Sequence, residues 1–531
     1  MSGKSASDVI VQSARETVAT DPESALKSLE EFLLREPNSL EAMRIAADAL
    51  MRLARHDEAV DFLNLALHYY PGDASAIRDK IRALMAGGEV SKAYRFLLEQ
   101  FSVDPKAADI GLLLAKLQYD AWDYSAARDT LAKLIESAPL QCDALNFLGL
   151  ILAREFGELD RGQQLIAKAL EVRPGDLSAL SNMGWVLAEQ GRLEDAMACF
   201  DHVLSSTPKD GETRLMRALS YLKNGRYSQG WPDFEARFQS AAYRRRESTI
   251  PRLPLVEPVL GRCVLVAAEQ GLGDQIMFAS CLDDLRREVG GCVIECDSRL
   301  VSIFRRSFPS FEVMPDSIPA KTRERILARH QVSHEIAMGS LPGRYRLARA
   351  DFPAQAGFLT ADPERIVRWR QQLEKLGPGP KIGISWKGGG ASTRRQLRSV
   401  SAAVLSSGIP PGANLISLQY GVGLDEVHCA AVEAGKDIIH WPESIVDYED
   451  TAALIMGLDL VISVCTAVVH LAGALGKEVW VMTPSIPEWR YQASGSEMPW
   501  YPSAKLFRQA PGEPWEAVAG RVGNELKRRS Y

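Results

Sequence analysis

Apolar positions in the first 240 residues of this 531-residue chain repeat with a period of 34. Prolines mark the period: Pro37, Pro71, Pro105, Pro139, Pro174 and Pro208, with one interval of 35. Twelve positions before each proline stands a small residue: Ala25, Ala59, Ala93, Ala127, Gly162 and Ala196. Eight positions before it stands a large apolar one: Leu29, Leu63, Leu97, Leu131, Ile166 and Phe200. Such a period predicts stacked helix pairs. The small residue admits a close helix crossing, the large one fills the space between units, and proline stops the second helix. Beyond the proline-rich stretch to Pro258 the pattern changes. Short apolar runs (Cys263–Ala267, Cys292–Cys296, Lys381–Trp386, Asn414–Leu418, Leu458–Val464 and Glu478–Met482) alternate with helical stretches, which predicts parallel sheets covered by helices.

The 34-residue unit resembles the tetratricopeptide repeat (TPR). Gly184, Gly191, Ala196, Phe200 and Pro208 make the last full unit the closest match. A degenerate seventh unit follows with Tyr221, Gly225 and Phe234, without a closing proline. The expected fold is therefore an α-solenoid followed by α/β, the latter as two doubly wound, Rossmann-like lobes. Expected boundaries are 5–240 for the solenoid, 241–258 for a linker, 259–360 for the first lobe and 361–531 for the second. A stacked array presents surface rather than a catalytic cleft, which favours binding of protein segments. Packing on the second half, or dimerisation, is the alternative use of the same surface.

Composition narrows the class. A hydrophobic fraction of 46% and a charged fraction of 24% are ordinary globular usage. A net charge of -6 is a poor match to a nucleic-acid backbone and leaves room for a local basic pocket. The eight cysteines form no C-x-x-C pair and read as thiols of a reducing cytosol. Met1–Thr20 lacks a signal-peptide core, and the apolar stretch Thr451–Trp480 is broken by Gly457, Asp459, His470, Gly473 and Gly476. A cytoplasmic chain without membrane insertion is expected.

Four segments leave predicted strands carrying residues suited to chemistry. Glu269–Gln275 places Gly271 and Gly273 where backbone can lie against a ligand, and Asp274 at a helix entrance, as an N-cap or as a general base. Ile384–Gly390 leads Lys387 into three glycines and then Thr393, Arg394, Arg395 and Arg398, a set suited to a diphosphate or to a solvated basic loop. Gln419 and Tyr420 end another strand, where they either hold a nucleobase or ribose or cap the sheet. Ser463 ends a buried strand, and Thr466 opens a helix whose amides attract phosphate. His470, one turn along, shares the face of Thr466, as a ligand contact or as a core residue. No D-x-D triplet, P-loop, G-x-S-x-G elbow or metal-ligand cluster occurs, so neither a metal nor a cofactor is expected.

Together these features resemble bacterial TPR-coupled glycosyltransferases with a GT-B-like catalytic half similar to the heptosyltransferase family. The most specific stretches are Asp450–Leu454, Leu458–Val464 and His470–Gly476, with Pro499–Pro502 and Leu506–Gln509. The resemblance implies a nucleotide-sugar donor, no metal, Asp274 as the base, and donor phosphates held by Lys387 with Thr466 and His470. It also implies a protein acceptor captured by the repeats, for which flagellin is the candidate. One departure stands out: the family usually carries Asp-Thr where this chain has Cys465-Thr466. The alternatives are a transferase for a lipid-linked or surface glycan, and a scaffold with a degenerate transferase half.

Overall fold

The computed structural model describes residues 6–239, 248, 250–354, 357–390 and 393–529. The basic run Arg244–Arg246, with the first part of the expected linker, lies outside them. Helices run in succession from Ala6–Thr17 to Tyr227–Phe234, and each clock proline falls in the turn that closes a pair. Ala25, Ala59, Ala93, Ala127 and Ala196 are buried, as are Leu29, Leu63, Leu97, Leu131, Ile166 and Phe200. Gly184 shows why the small positions are small. A Cβ there would stand 2.8 Å from the Phe200 ring. Asp73, Asp123, Asp176 and Asp210 cap the next helices, their carboxylates accepting from backbone amides.

The chain divides into two compact units, Met1–Ile151 with Glu171–Pro174, and Leu152–Leu170 with Gly175–Tyr531. The later helix pairs thus belong with the α/β region, whereas the sequence pattern had grouped all repeats together. The first sheet has strands β1 (Cys263–Ala267), β2 (Gly291–Cys296), β3 (Glu312–Pro315) and β4 (His334–Ala337) in the order β3-β2-β1-β4, all parallel. The second has β5 (Lys381–Ser385), β6 (Asn414–Ser417), β7 (Ile438–Ile439), β8 (Leu460–Val464), β9 (Val479–Thr483), β10 (Glu497–Met498) and β11 (Tyr501–Arg508). Its order is β10-β11-β9-β8-β5-β6-β7, and only the β10–β11 pair is antiparallel. In each sheet the first strand lies between neighbours that continue in opposite directions. This is the topology in which loops part and leave a crevice at the strands' carboxyl ends. The end of the linker joins this arrangement: Leu253 N donates to Glu335 O at 2.8 Å, alongside β4.

The last helical pair is built into the α/β region. Trp231 donates through Nε1 to Arg346 O at 2.8 Å and meets Trp489 edge-on at 5.7 Å and Trp500 at 6.5 Å. Beside this aromatic cluster, Arg237 donates to both oxygens of Glu269, at 2.9 and 2.8 Å. Glu269, two residues beyond β1, also accepts from the Gly339 amide at 2.5 Å. Both partners are buried, and removal of the guanidinium would strand a carboxylate among apolar neighbours. Arg237→Met is therefore expected to cost about 3–5 kcal/mol in chemical denaturation of the full chain. A loss below about 1 kcal/mol would mean that the pair is dispensable.

Candidate functional site

A cavity of about 750 Å³ lies at the carboxyl ends of β1, β5, β6, β8 and β9. Asp274, Gly271, Gly273, Lys387, Arg398, Gln419, Tyr420, Thr466 and His470 all line it, although they are spread over 200 positions of sequence. Two expected residues do not. Ser463 is fully buried, its hydroxyl taken up by Val464 O at 2.7 Å and Thr466 Oγ1 at 3.0 Å. Arg394 has a left-handed backbone (φ 53°), and Arg395 lines the cavity in its place.

Local chemistry refines several roles. Asp274 is the third residue of the helix Leu272–Phe278 and not its N-cap, which is Gly271. Its Oδ2 accepts from the Gly271 amide at 3.3 Å, and its Oδ1 pairs with the Arg490 guanidinium. Gly273 also serves packing: a Cβ there would lie 2.9 Å from His470 Cδ2. In the basic loop, Gly389 has φ 53° and Arg398 folds over it. Lys387 pairs with Glu426, but both are more than a third exposed, so the pair is weak and Lys387 is available to a stronger anion. Arg398 holds Glu488 at 3.0 Å.

Gln419 braces two loops at the cavity wall. Its Oε1 accepts from the Trp386 and Lys387 amides at 2.9 and 2.8 Å, and its Nε2 donates to Lys387 O at 3.1 Å. The amide thus locks the loops after β5 and β6 together. Tyr420 stacks on Tyr448 at 5.4 Å and shares a hydrogen bond with Thr451 at 2.9 Å, leaving an aromatic wall beside Arg299. Thr466 is the N-cap of Ala467–Ala474, accepting from Val468 N at 3.2 Å, so the helix start opens on the cavity. Burial pushes the Cys465 thiol up to about 12, which keeps it neutral where the resembling family has an acid.

Sequence reasoning passed over the loop Glu488–Tyr491 after β9. It supplies Glu488, Arg490 and Tyr491 to the cavity. The available signal was the one used elsewhere: charged residues following a buried strand. Burial alone would raise Glu488, but Arg490 and Arg398 hold it down to about 2. Arg490 is raised against its burial by Asp274 and Glu488.

His470 is shifted in the opposite sense. It lies 3.1 Å from the Tyr501 hydroxyl through Nδ1, and burial, with Arg490 adding to it, lowers its pKa to about 3. It is a neutral imidazole at pH 7 and offers a ligand a dipole rather than a positive charge. The unfolded chain binds a proton near the ordinary value of 6.5 that the folded chain refuses down to about 3. This part of the stability is complete above about pH 6.5 and falls with decreasing pH by about 1.4 kcal/mol per unit. His470→Gln should flatten the slope of denaturation free energy between about pH 6.5 and 5. Equal slopes in the two proteins would show that the imidazole is not held neutral.

Residues 18–74 and 153–219 match the tetratricopeptide repeat family. Protein FlbA of Caulobacter vibrioides is 30% identical over 423 residues, which cover 76% of this chain and 70% of that protein. TPR repeat-containing protein PA4667 of Pseudomonas aeruginosa is 26% identical over 194 residues, 36% of this chain and 33% of its own. A tetratricopeptide repeat protein from Parabacteroides merdae, known by crystal structure, aligns with 44% of this chain and 94% of its own at 16% identity and a TM-score of 0.35. No described helix is long and apolar enough to cross a membrane. The FlbA match extends far beyond the two repeat segments, and the chain belongs to the FlbA family of TPR proteins.

Proposed function

We propose that this chain is a glycosyltransferase of GT-B type that moves a sugar from a nucleotide-sugar donor to a hydroxyl of a protein held by its repeats. The observation that carries the reading is the single cavity. A carboxylate from the first sheet, Asp274, faces Lys387, Arg398 and the Thr466 helix start from the second. The acceptor oxygen attacks the anomeric carbon as the bond to the nucleotide phosphate breaks. Asp274 takes the hydroxyl proton, and the departing phosphate keeps the electron pair. Lys387, Arg398 and the amides before Val468 stabilise that charge. The Tyr420–Tyr448 wall offers a stacking face to a nucleobase. Repeat arrays support protein–protein contact, and flagellin as the acceptor rests on the resemblance to TPR-coupled transferases.

Cys465 and the engaged state of Asp274 favour one second reading, a TPR scaffold whose transferase half has lost its chemistry. A thermal-shift panel of UDP-, GDP-, ADP- and CMP-sugars separates the two. One donor should raise the melting temperature by mass action, and no shift with any of them would favour the scaffold. With that donor and an acceptor, Asp274→Asn should lower the rate by about 10²–10⁴-fold without weakening donor binding. Transfer at the wild-type rate would remove Asp274 from the chemistry.

A further inference from the structure

Arg490 occupies an unusual place in the cavity. It stands in the loop after β9, on the second sheet, yet its Nη2 pairs with Asp274 from the helix after β1. Its Nη1 pairs with Glu488, and the guanidinium lies 5.2 Å from the Trp489 ring centre. Trp489 is fixed in turn against Trp231 and Trp500, so the loop cannot easily follow a moving partner. The side chains of Arg490 and Arg398 are 11% and 12% exposed. The Nε atoms of both are buried and have no hydrogen-bond partner among the described residues. Two guanidiniums with unspent donors thus border the cavity, and the protein's own carboxylates are what satisfies their charge.

We propose that Asp274 is the resident counter-ion of Arg490 and that an oxyanion of the phosphate or diphosphate class takes its place when a ligand enters. A phosphate presents more acceptor oxygens and more charge than one carboxylate oxygen, and it pairs with guanidinium in the same fork geometry. Glu488 stays with Arg398 and Arg490 and prevents the two guanidiniums from repelling each other. Asp274 is the partner that can leave, because its other contact is one backbone hydrogen bond of 3.3 Å. Where Asp274 is the base, which rests on the function proposed above, the exchange sets an order. The anionic donor must arrive before the carboxylate can accept a proton from an acceptor.

The test is calorimetric titration of the full chain with sodium pyrophosphate and with UDP at fixed ionic strength. Circular dichroism and melting temperature confirm that each variant is folded. Asp274→Asn removes the competing charge and should bind pyrophosphate about tenfold more tightly than wild type. Arg490→Met should bind it about tenfold more weakly, and Arg490→Lys should lie between. Unchanged or weaker binding by Asp274→Asn, binding by Arg490→Met equal to wild type, or no binding by any of the proteins would overturn the proposal. The predicted order without sugar transfer from any nucleotide-sugar would uphold the exchange and reject the transferase. Transfer without tightening in Asp274→Asn would do the reverse.

Discussion

Glu269 can be buried only because Arg237 reaches it, and the geometry of the cavity depends on that contact. The carboxylate closes β1 and opens the turn that carries Gly271, Gly273 and Asp274. The guanidinium comes from the end of the helical repeats. A bidentate pair with low exposure on both sides is stiff, since neither partner can swing into water without leaving the other uncompensated. Trp231 adds an apolar constraint at the same place. It packs on Trp489, next to Arg490, and thereby ties the terminal repeat to the second loop that crosses the cavity. The last repeat is thus part of the wall that holds Asp274 and Arg490, rather than a receptor joined by a tether.

Carboxylates offset part of the basic charge of the cavity. Arg398, Arg490, Arg395, Arg299 and Lys387 face Asp274 and Glu488, with Glu426 on Lys387. A cationic pocket without these carboxylates would destabilise the protein by self-repulsion. With them that repulsion is reduced, and an incoming anion competes with Glu426 for Lys387 and with Asp274 for Arg490. His470 stays outside this exchange. Its neutral ring packs under Gly273 and on Tyr501, and it keeps the helix starting at Thr466 in register with the helix carrying Asp274.

Much of this was legible in the sequence, for physical reasons. The repeats were visible because a 34-residue unit must place its small residue and its proline at fixed points. The strands β1, β5, β8 and β9 were visible because strands buried on both faces are continuous apolar runs. β3 and β4 were missed because Glu312 and His334–Glu335 interrupt their short apolar runs, β7 because it is only two residues long, and β11 because polar residues interrupt the run Tyr501–Arg508. The cavity's residue types could be read because loops after parallel strands converge. Their partners could not. Nothing in the local sequence says that Gln419 braces two loops, that Arg395 rather than Arg394 faces inward, or that Arg490 meets Asp274 from 216 residues away. Those are facts of tertiary packing.

One cavity, built from both sheets and held by the last repeat, is proposed to receive the phosphates of a nucleotide. A crystal structure of the full chain grown with UDP, or with whichever nucleoside diphosphate binds most tightly, tests it most directly. The diphosphate is expected against Lys387, Arg398 and the helix start at Thr466, with Asp274 released from Arg490 and a phosphate oxygen in its place. A nucleotide seated on any other surface, with the Asp274–Arg490 pair intact and this cavity empty, would contradict it.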